Sequence, residues 1–89
     1  MIVKNVEYSS AFKHQFNRLP KTIRGRSAST IKMLKENAFY PALRLHKLKG
    51  KLKGAWSVSV GKSYRIIFVL EGDGKILLTS IGTHGIYED

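Results

Sequence analysis

The chain has 89 residues, 16 Lys plus Arg against 6 Asp plus Glu, a formal net charge of +10, and no cysteine. That length allows one domain with a single modest core and excludes a second, and the missing cysteine excludes a disulfide framework, a thiolate nucleophile and a cysteine zinc site, so a cytoplasmic setting is expected. With 43% hydrophobic and 25% charged residues, the composition is that of a folded globular domain rather than a disordered chain.

The first residues, Met1-Ile2-Val3-Lys4-Asn5, lack the apolar core of a secretory signal, and no apolar run approaches the ~20 residues of a membrane span. A soluble protein with no membrane partner is the expectation. Ile2, Val3, Val6 and Tyr8 suggest a short first strand, weakly specified because the alternation slips by one residue after Val3. Ser9 or Ser10 can cap a helix on which Phe12, Phe16 and Leu19 recur at spacings of four and three, and which stops at Pro20. Pro20 also suits the entry to a second helix, from about Lys21 to Ala38, with Ile23, Ser27, Ile31, Leu34 and Ala38 as its inward stripe. Joined at the proline, the two read as an αα-hairpin with Arg18, Arg24, Arg26, Lys32 and Lys35 mostly on its solvated side.

After Tyr40-Pro41 the apolar period changes from 3.6 to 2. Leu43 and Leu45 begin an alternation, but Leu48 falls out of phase, so a bulge or turn is expected at His46-Lys47. A glycine-punctuated basic loop runs from Lys49 to Gly54. Trp56, Val58 and Val60 then alternate with Ser57 and Ser59, the pattern of a strand with one buried face. Gly61-Lys62-Ser63 turns the chain, Tyr64 to Glu71 is apolar on both faces as a central strand is, and Asp73-Gly74 is a strong two-residue hairpin turn before a last strand from Lys75 to Thr83. A short tail, His84 to Asp89, closes the chain. The expected fold is therefore α+β: one domain over residues 1–89, with an N-terminal strand and an αα-hairpin packed on one face of a three- to four-stranded antiparallel sheet. Phe12, Phe16, Ile23 and Ile31 should cover the Trp56, Val58, Val60 face.

Charge decides where function is sought. No acidic residue stands between Asn37 and Leu70, whereas Arg44, Lys47, Lys49, Lys51, Lys53, Lys62 and Arg65 do. Such a stretch makes a cation surface suited to RNA, DNA or an acidic partner, although surface lysines also serve solubility alone. Counting back from the Asp73-Gly74 turn sets Arg65 opposite Gly82, with Ser80 and His84 on the same face; counting across Gly61 to Ser63 sets Ser59 opposite Arg65. Arg65 then projects from the middle of the sheet, away from the helices, with no acid evident nearby. It faces solvent and an anion, or else it bonds backbone carbonyls or the C-terminal carboxylates.

His46 and His84 can both reach that face. Two imidazoles serve as base and acid in one turnover, and a fixed guanidinium supports charge developing on phosphorus. This suits RNA cleavage by the adjacent 2′-hydroxyl, a nucleophile DNA lacks. Tyr87 can donate to a phosphate or stack on a base. The plain alternatives are a surface histidine at position 46 and simple packing at Tyr87, and His14 on the first helix reads as a bystander. Two histidines without a third ligand or a nearby carboxylate do not form a metal site, and Gly50 to Gly54 lacks the spacing and Ser or Thr of a P-loop. No metal or cofactor is expected.

The run Leu45-His46-Lys47-Leu48-Lys49-Gly50, then Gly54-Ala55-Trp56-Ser57-Val58, Tyr64-Arg65-Ile66-Ile67-Phe68, and Ile81-Gly82-Thr83-His84 with Tyr87, resembles the RelE/ParE superfamily of type II toxin-antitoxin toxins over nearly the whole chain. The resemblance implies a small, basic, ribosome-dependent mRNA endonuclease held inactive by a cognate antitoxin, with mRNA and ribosomal RNA as further partners. It implies that Arg65 binds the phosphate, that His84 stands where the RNase branch places its general acid, that Tyr87 is the C-terminal aromatic, and, more loosely, that His46 takes the place of a base. Arg44, Lys47, Lys49, Lys51, Lys53 and Lys62 would contact RNA. One departure stands out: Ser57 and Ser59 occupy the strand where the RelE branch presents catalytic lysines. The superfamily also holds ParE-type toxins that poison DNA gyrase by protein contact, and a degenerate, non-catalytic relative is a third reading.

Overall fold

Local signals start both helices and place both tight turns of the sheet. In the computed structural model, which describes residues 1–83, the elements in chain order are β1 (Asn5–Tyr8), α1 (Ser10–Asn17), α2 (Lys21–Glu36), β2 (His46–Lys47), β3 (Ala55–Val60), β4 (Tyr64–Gly72) and β5 (Lys75–Thr83). Single 3-10 turns at Pro41–Leu43 and Gly50–Leu52 flank β2. No described helix is long and apolar enough to cross a membrane.

Ser9 is the cap of α1: its Oγ accepts from the Phe12 N–H at 3.0 Å and donates to the Thr79 carbonyl at 3.2 Å, so one hydroxyl both starts the helix and ties it to β5. At the other end, the Arg24 guanidinium donates to the Asn17 and Leu19 carbonyls at 3.4 and 3.3 Å. A cation there satisfies acceptors that the end of α1 leaves free. Pro20 then opens α2.

The sheet order is β1-β5-β4-β3-β2, five strands, with β1 parallel to β5 and every other pair antiparallel. The α+β class and the helical hairpin are as expected, but the sheet is mixed because the first strand joins it. β1 starts later than the apolar pattern suggested, at Asn5, and covers the outer edge of β5 over Lys75 to Leu78. Beyond it, Gln15 Oε1 accepts the Ile81 N–H at 2.9 Å, so α1 occupies the next stretch of that edge.

The second correction lies between the helices and β3. Pro41–Leu43 is a 3-10 turn rather than strand, and Arg44 adopts the left-handed conformation with φ 49°. That reversal sends Leu43 into the core and lets His46-Lys47, expected to be a break, form the strand opposite Ser57 and Trp56.

Both hairpins of the sheet keep the expected register: Val60 pairs with Tyr64, Ser59 with Arg65, Arg65 with Gly82 and Gly72 with Lys75. The second count succeeds because two irregularities offset each other. Glu71 is extra on β4 and Thr79 is extra on β5, so a residue gained on one strand is regained on the other. The Thr79 bulge also brings Ile76, Leu78 and Ile81 into one core despite their odd spacing.

That core lies between helices and sheet and contains Phe12, Ile31, Leu34, Leu43, Val58, Val60, Ile66 and Phe68, with Phe16 and Trp56 packed against it; Ile23, expected there, is only half-buried. A second, smaller cluster sits on the opposite face, where Leu48, just after β2, and Leu52 of the basic loop cover Ala55, Ile67 and Val69. This is why β4 is apolar on both sides.

Candidate functional site

Residues paired across neighbouring strands share a face, so the register defines the site. One row runs Ser59, Arg65, Gly82; the next runs His46, Ser57, Ile67, Ser80. His46 and Arg65 therefore stand on the same face, turned away from the helices. Two strand spacings of ~4.8 Å and two residues of ~3.4 Å place their Cα atoms about 12 Å apart. A phosphodiester held between two long side chains fits that interval.

Arg65 is half-buried, and its Nη1 donates to the Tyr64 carbonyl at 3.0 Å. Among the described residues that is its one hydrogen bond, and it uses one of the five guanidinium N–H groups. Lys75 pairs with Glu7 at 4.0 Å, and no described carboxylate pairs with Arg65. Two described acids, Glu7 and Glu71, meet elsewhere on the sheet. The Glu71 carboxyl is held above its ordinary value chiefly because it shares a hydrogen bond with Glu7. That pair lies toward the Asp73-Gly74 end of the sheet, away from Arg65.

The other expected residues divide. Leu48 and Leu52 anchor the loop carrying Lys49, Lys51 and Lys53 on the Arg65 side of the sheet, and all three lysines are exposed. Arg44 is exposed at the end of the Pro41–Leu43 turn, and Lys62 is exposed in the turn after β3. Lys47 belongs to the other face: it pairs with Trp56, and its ammonium lies 5.9 Å from the indole centroid. Alternation along β2 thus separates Lys47 from its neighbour His46. His14 is exposed on α1, in the helical layer behind the sheet. His84 and Tyr87 lie outside the described residues. Among the described residues no three His, Cys, Asp or Glu side chains converge.

Two site residues differ from the sequence reading. Ser57 and Ser59 are 0% and 5% exposed, where an open polar face was expected. The Ser59 Oγ has no hydrogen-bond partner among the described residues. A buried hydroxyl left so costs on the order of 1–3 kcal/mol, which a ligand that bonds it would recover. Sequence reasoning also missed Leu52 as the anchor of the basic loop; one leucine among alternating lysines and glycines was the available signal.

Residues 7–84 match the model of a family described as RelE-like toxin of type II toxin-antitoxin system HigB. No curated protein sequence matches significantly. Among solved structures, the chain is similar to YafQ from E. coli strain BL21(DE3), with a TM-score of 0.78, 19% identity and coverage of 94% of this chain and 97% of that one. It is similar to a YoeB/ParE toxin from Agrobacterium tumefaciens at a TM-score of 0.76 and 16% identity, over 91% of this chain and 99% of the other. A third likeness is to the E. coli DinJ-YafQ toxin-antitoxin complex, at a TM-score of 0.77 and 21% identity, over 99% and 100% of the two chains. At such identities the structural likeness shows the fold.

Proposed function

This chain belongs to the family of RelE-like toxins of type II toxin-antitoxin systems of the HigB kind, and on that premise we propose that it is an endoribonuclease that cuts mRNA on the ribosome, in the cytoplasm, and is silenced by a cognate antitoxin. The observation that carries the nuclease reading is Arg65: a guanidinium in the middle of the sheet, on the face away from the helices, without a described carboxylate partner and on the same face as His46.

In the proposed reaction a base removes the proton of a ribose 2′-hydroxyl, and the oxygen attacks the adjacent phosphorus. Arg65 stabilises the charge that accumulates on the phosphorane oxygens, and an acid protonates the departing 5′-oxygen. His46 is assigned the base, His84 the acid, and Tyr87 a phosphate or base contact. Lys49, Lys51, Lys53, Arg44 and Lys62 supply the field that draws the strand in. Lys47, held over Trp56, is left out of the reacting set.

An antitoxin partner is supported by the likeness to YafQ, whose E. coli form is found in complex with DinJ. The rival reading is a ParE-like inhibitor that binds DNA gyrase, favoured only by the YoeB/ParE likeness; a surface that works by protein contact has no need of a histidine beside an arginine that no described carboxylate pairs. Primer extension on cellular mRNA after induction separates the two. Cleavage within translated frames is the expected result. Intact transcripts with accumulated gyrase-cleaved DNA would transfer the case to the rival, and neither outcome would leave a degenerate, inert relative.

A further inference from the structure

We propose that the cavity between α2, the Pro41–Leu43 turn and the outer edge of β3 is a second phosphate-binding site, which holds a backbone phosphate of an RNA strand lying across the Arg65 face. The identity of the ligand rests on the nuclease reading; the anion site itself does not. The cavity has a volume of about 520 Å³, and its polar lining comes from Thr22, Arg26, Ser29 and Thr30 of α2 and from Ser59 at the β3 edge. Among the described residues no carboxylate lines it.

Donors are left over on every side. The hydroxyls of Thr22, Ser29 and Thr30 make no hydrogen bond among the described residues, whereas Ser27, which does not line the cavity, donates to the Ile23 carbonyl at 2.7 Å. Arg26 supplies the cation. Its Nη1 lies 3.1 Å from where a Cβ on Gly61 would stand, so the glycine of the turn, itself at φ +61°, leaves room beside the guanidinium. Arg26 takes part in no ion pair among the described residues.

The strand edge adds a backbone donor. The Leu48 N–H donates to the Ala55 carbonyl at 2.9 Å, so the odd-numbered residues of β3 turn their amide groups toward β2. β2 ends at His46, opposite Ser57. No described strand therefore takes up the outward amide of Ser59, which lines the cavity. Among the described residues, hydroxyls, an N–H without an acceptor and a guanidinium without a carboxylate line the cavity, and together they select an anion with several acceptor oxygens, as a phosphate has. Ser59 also pairs with Arg65, so the cavity opens at the β3 edge, around which the row assigned to the reacting phosphate lies one strand away. That proximity favours a neighbouring phosphate of one strand over a separate acidic protein.

The test is a titration of ¹⁵N-labelled protein with inorganic phosphate, read from amide chemical shifts. Saturable shifts at Thr30, Ser59 and Gly61 are expected, abolished by Arg26→Ala and retained in Arg65→Ala. With a 2′-O-methyl single-stranded RNA, which cannot be cut, Arg26→Ala should weaken binding about tenfold and reduce the slope of log K on log salt by about 0.7. Thr30→Val keeps the packing volume, removes one donor, and should weaken phosphate in the same direction if Arg26→Ala fails to fold. Shifts confined to residues around Arg65, or unchanged by both substitutions, overturn the site. Shifts produced by polyglutamate but by neither phosphate nor RNA overturn the RNA assignment in favour of an acidic protein. Phosphate shifts at these amides, together with uncut cellular mRNA, would uphold the anion site while removing the nuclease reading.

Discussion

Replacing Arg65 by alanine separates chemistry from folding. The guanidinium gives one N–H to the Tyr64 carbonyl at 3.0 Å, and its remaining donors are assigned to the phosphorane. Removing a preorganised donor from a developing oxyanion costs about 2.7–4 kcal/mol of barrier, or ~10²–10³ in rate. The folding cost is smaller. A single hydrogen bond from a half-buried side chain is worth about 1 kcal/mol, which in a domain of this size moves the Tm by roughly 4–8 °C and leaves the protein folded at 25 °C. Arg65→Lys keeps the charge but loses the planar fork, and should fall between, near a tenfold loss. The assay is single-turnover cleavage of ribosome-bound mRNA beside thermal unfolding of the same samples. Cleavage by a folded Arg65→Ala protein within about threefold of wild type, under 1 kcal/mol of barrier, would refute the role assigned to this residue.

Three further outcomes are expected. His46 is exposed on a two-residue edge strand, so His46→Gln should leave the Tm unchanged while lowering cleavage by ~10²–10⁴; His84→Ala should likewise relieve growth inhibition, and unchanged toxicity in either variant would remove that residue from the reacting set. The raised Glu71 carboxyl favours the protonated form in the folded state, so its contribution to stability is present below the ordinary value of 4.5 and is lost as pH rises through the higher folded value. Denaturant midpoints measured across that window should fall for wild type and not for Glu71→Gln; parallel curves would show that the contact with Glu7 is not made in solution. Finally, the antitoxin should cover the Arg65 face with an acidic or amphipathic segment, and a co-crystal structure with that face open and the partner seated only on the helical hairpin would contradict occlusion.

Much of the frame can be read from particular residues. Ser9 before Phe12 and Phe16 starts α1, Pro20 divides the helices, and Asp73-Gly74, with φ values of 53° and 79°, makes the tight hairpin turn that its residue types favour. These signals act over two to four neighbours, so the chain carries them wherever it is placed. Where a local preference met a distant one, the reading failed. Leu43 and Leu45 alternate like a strand, yet burying Leu43 under α2 required a 3-10 turn and a left-handed Arg44. Lys47 and His46 looked like one basic patch, but adjacent strand residues point to opposite faces, and pairing with Ser57 and Trp56 decided which went where.

Composition, period and turn chemistry alone therefore determined the class of fold, the hairpin registers and the acid-free stretch from Asn37 to Leu70. Only tertiary structure decided that β1 closes the β5 edge, that Leu52 pins the basic loop onto the Arg65 face, that Ser57 and Ser59 are buried, and that a cavity opens where β2 stops short beside Arg26. The physical reason is range. A turn or a cap is a contract between neighbours, whereas burial and edge pairing depend on which distant segment arrives to exclude water, and no window of sequence contains both partners.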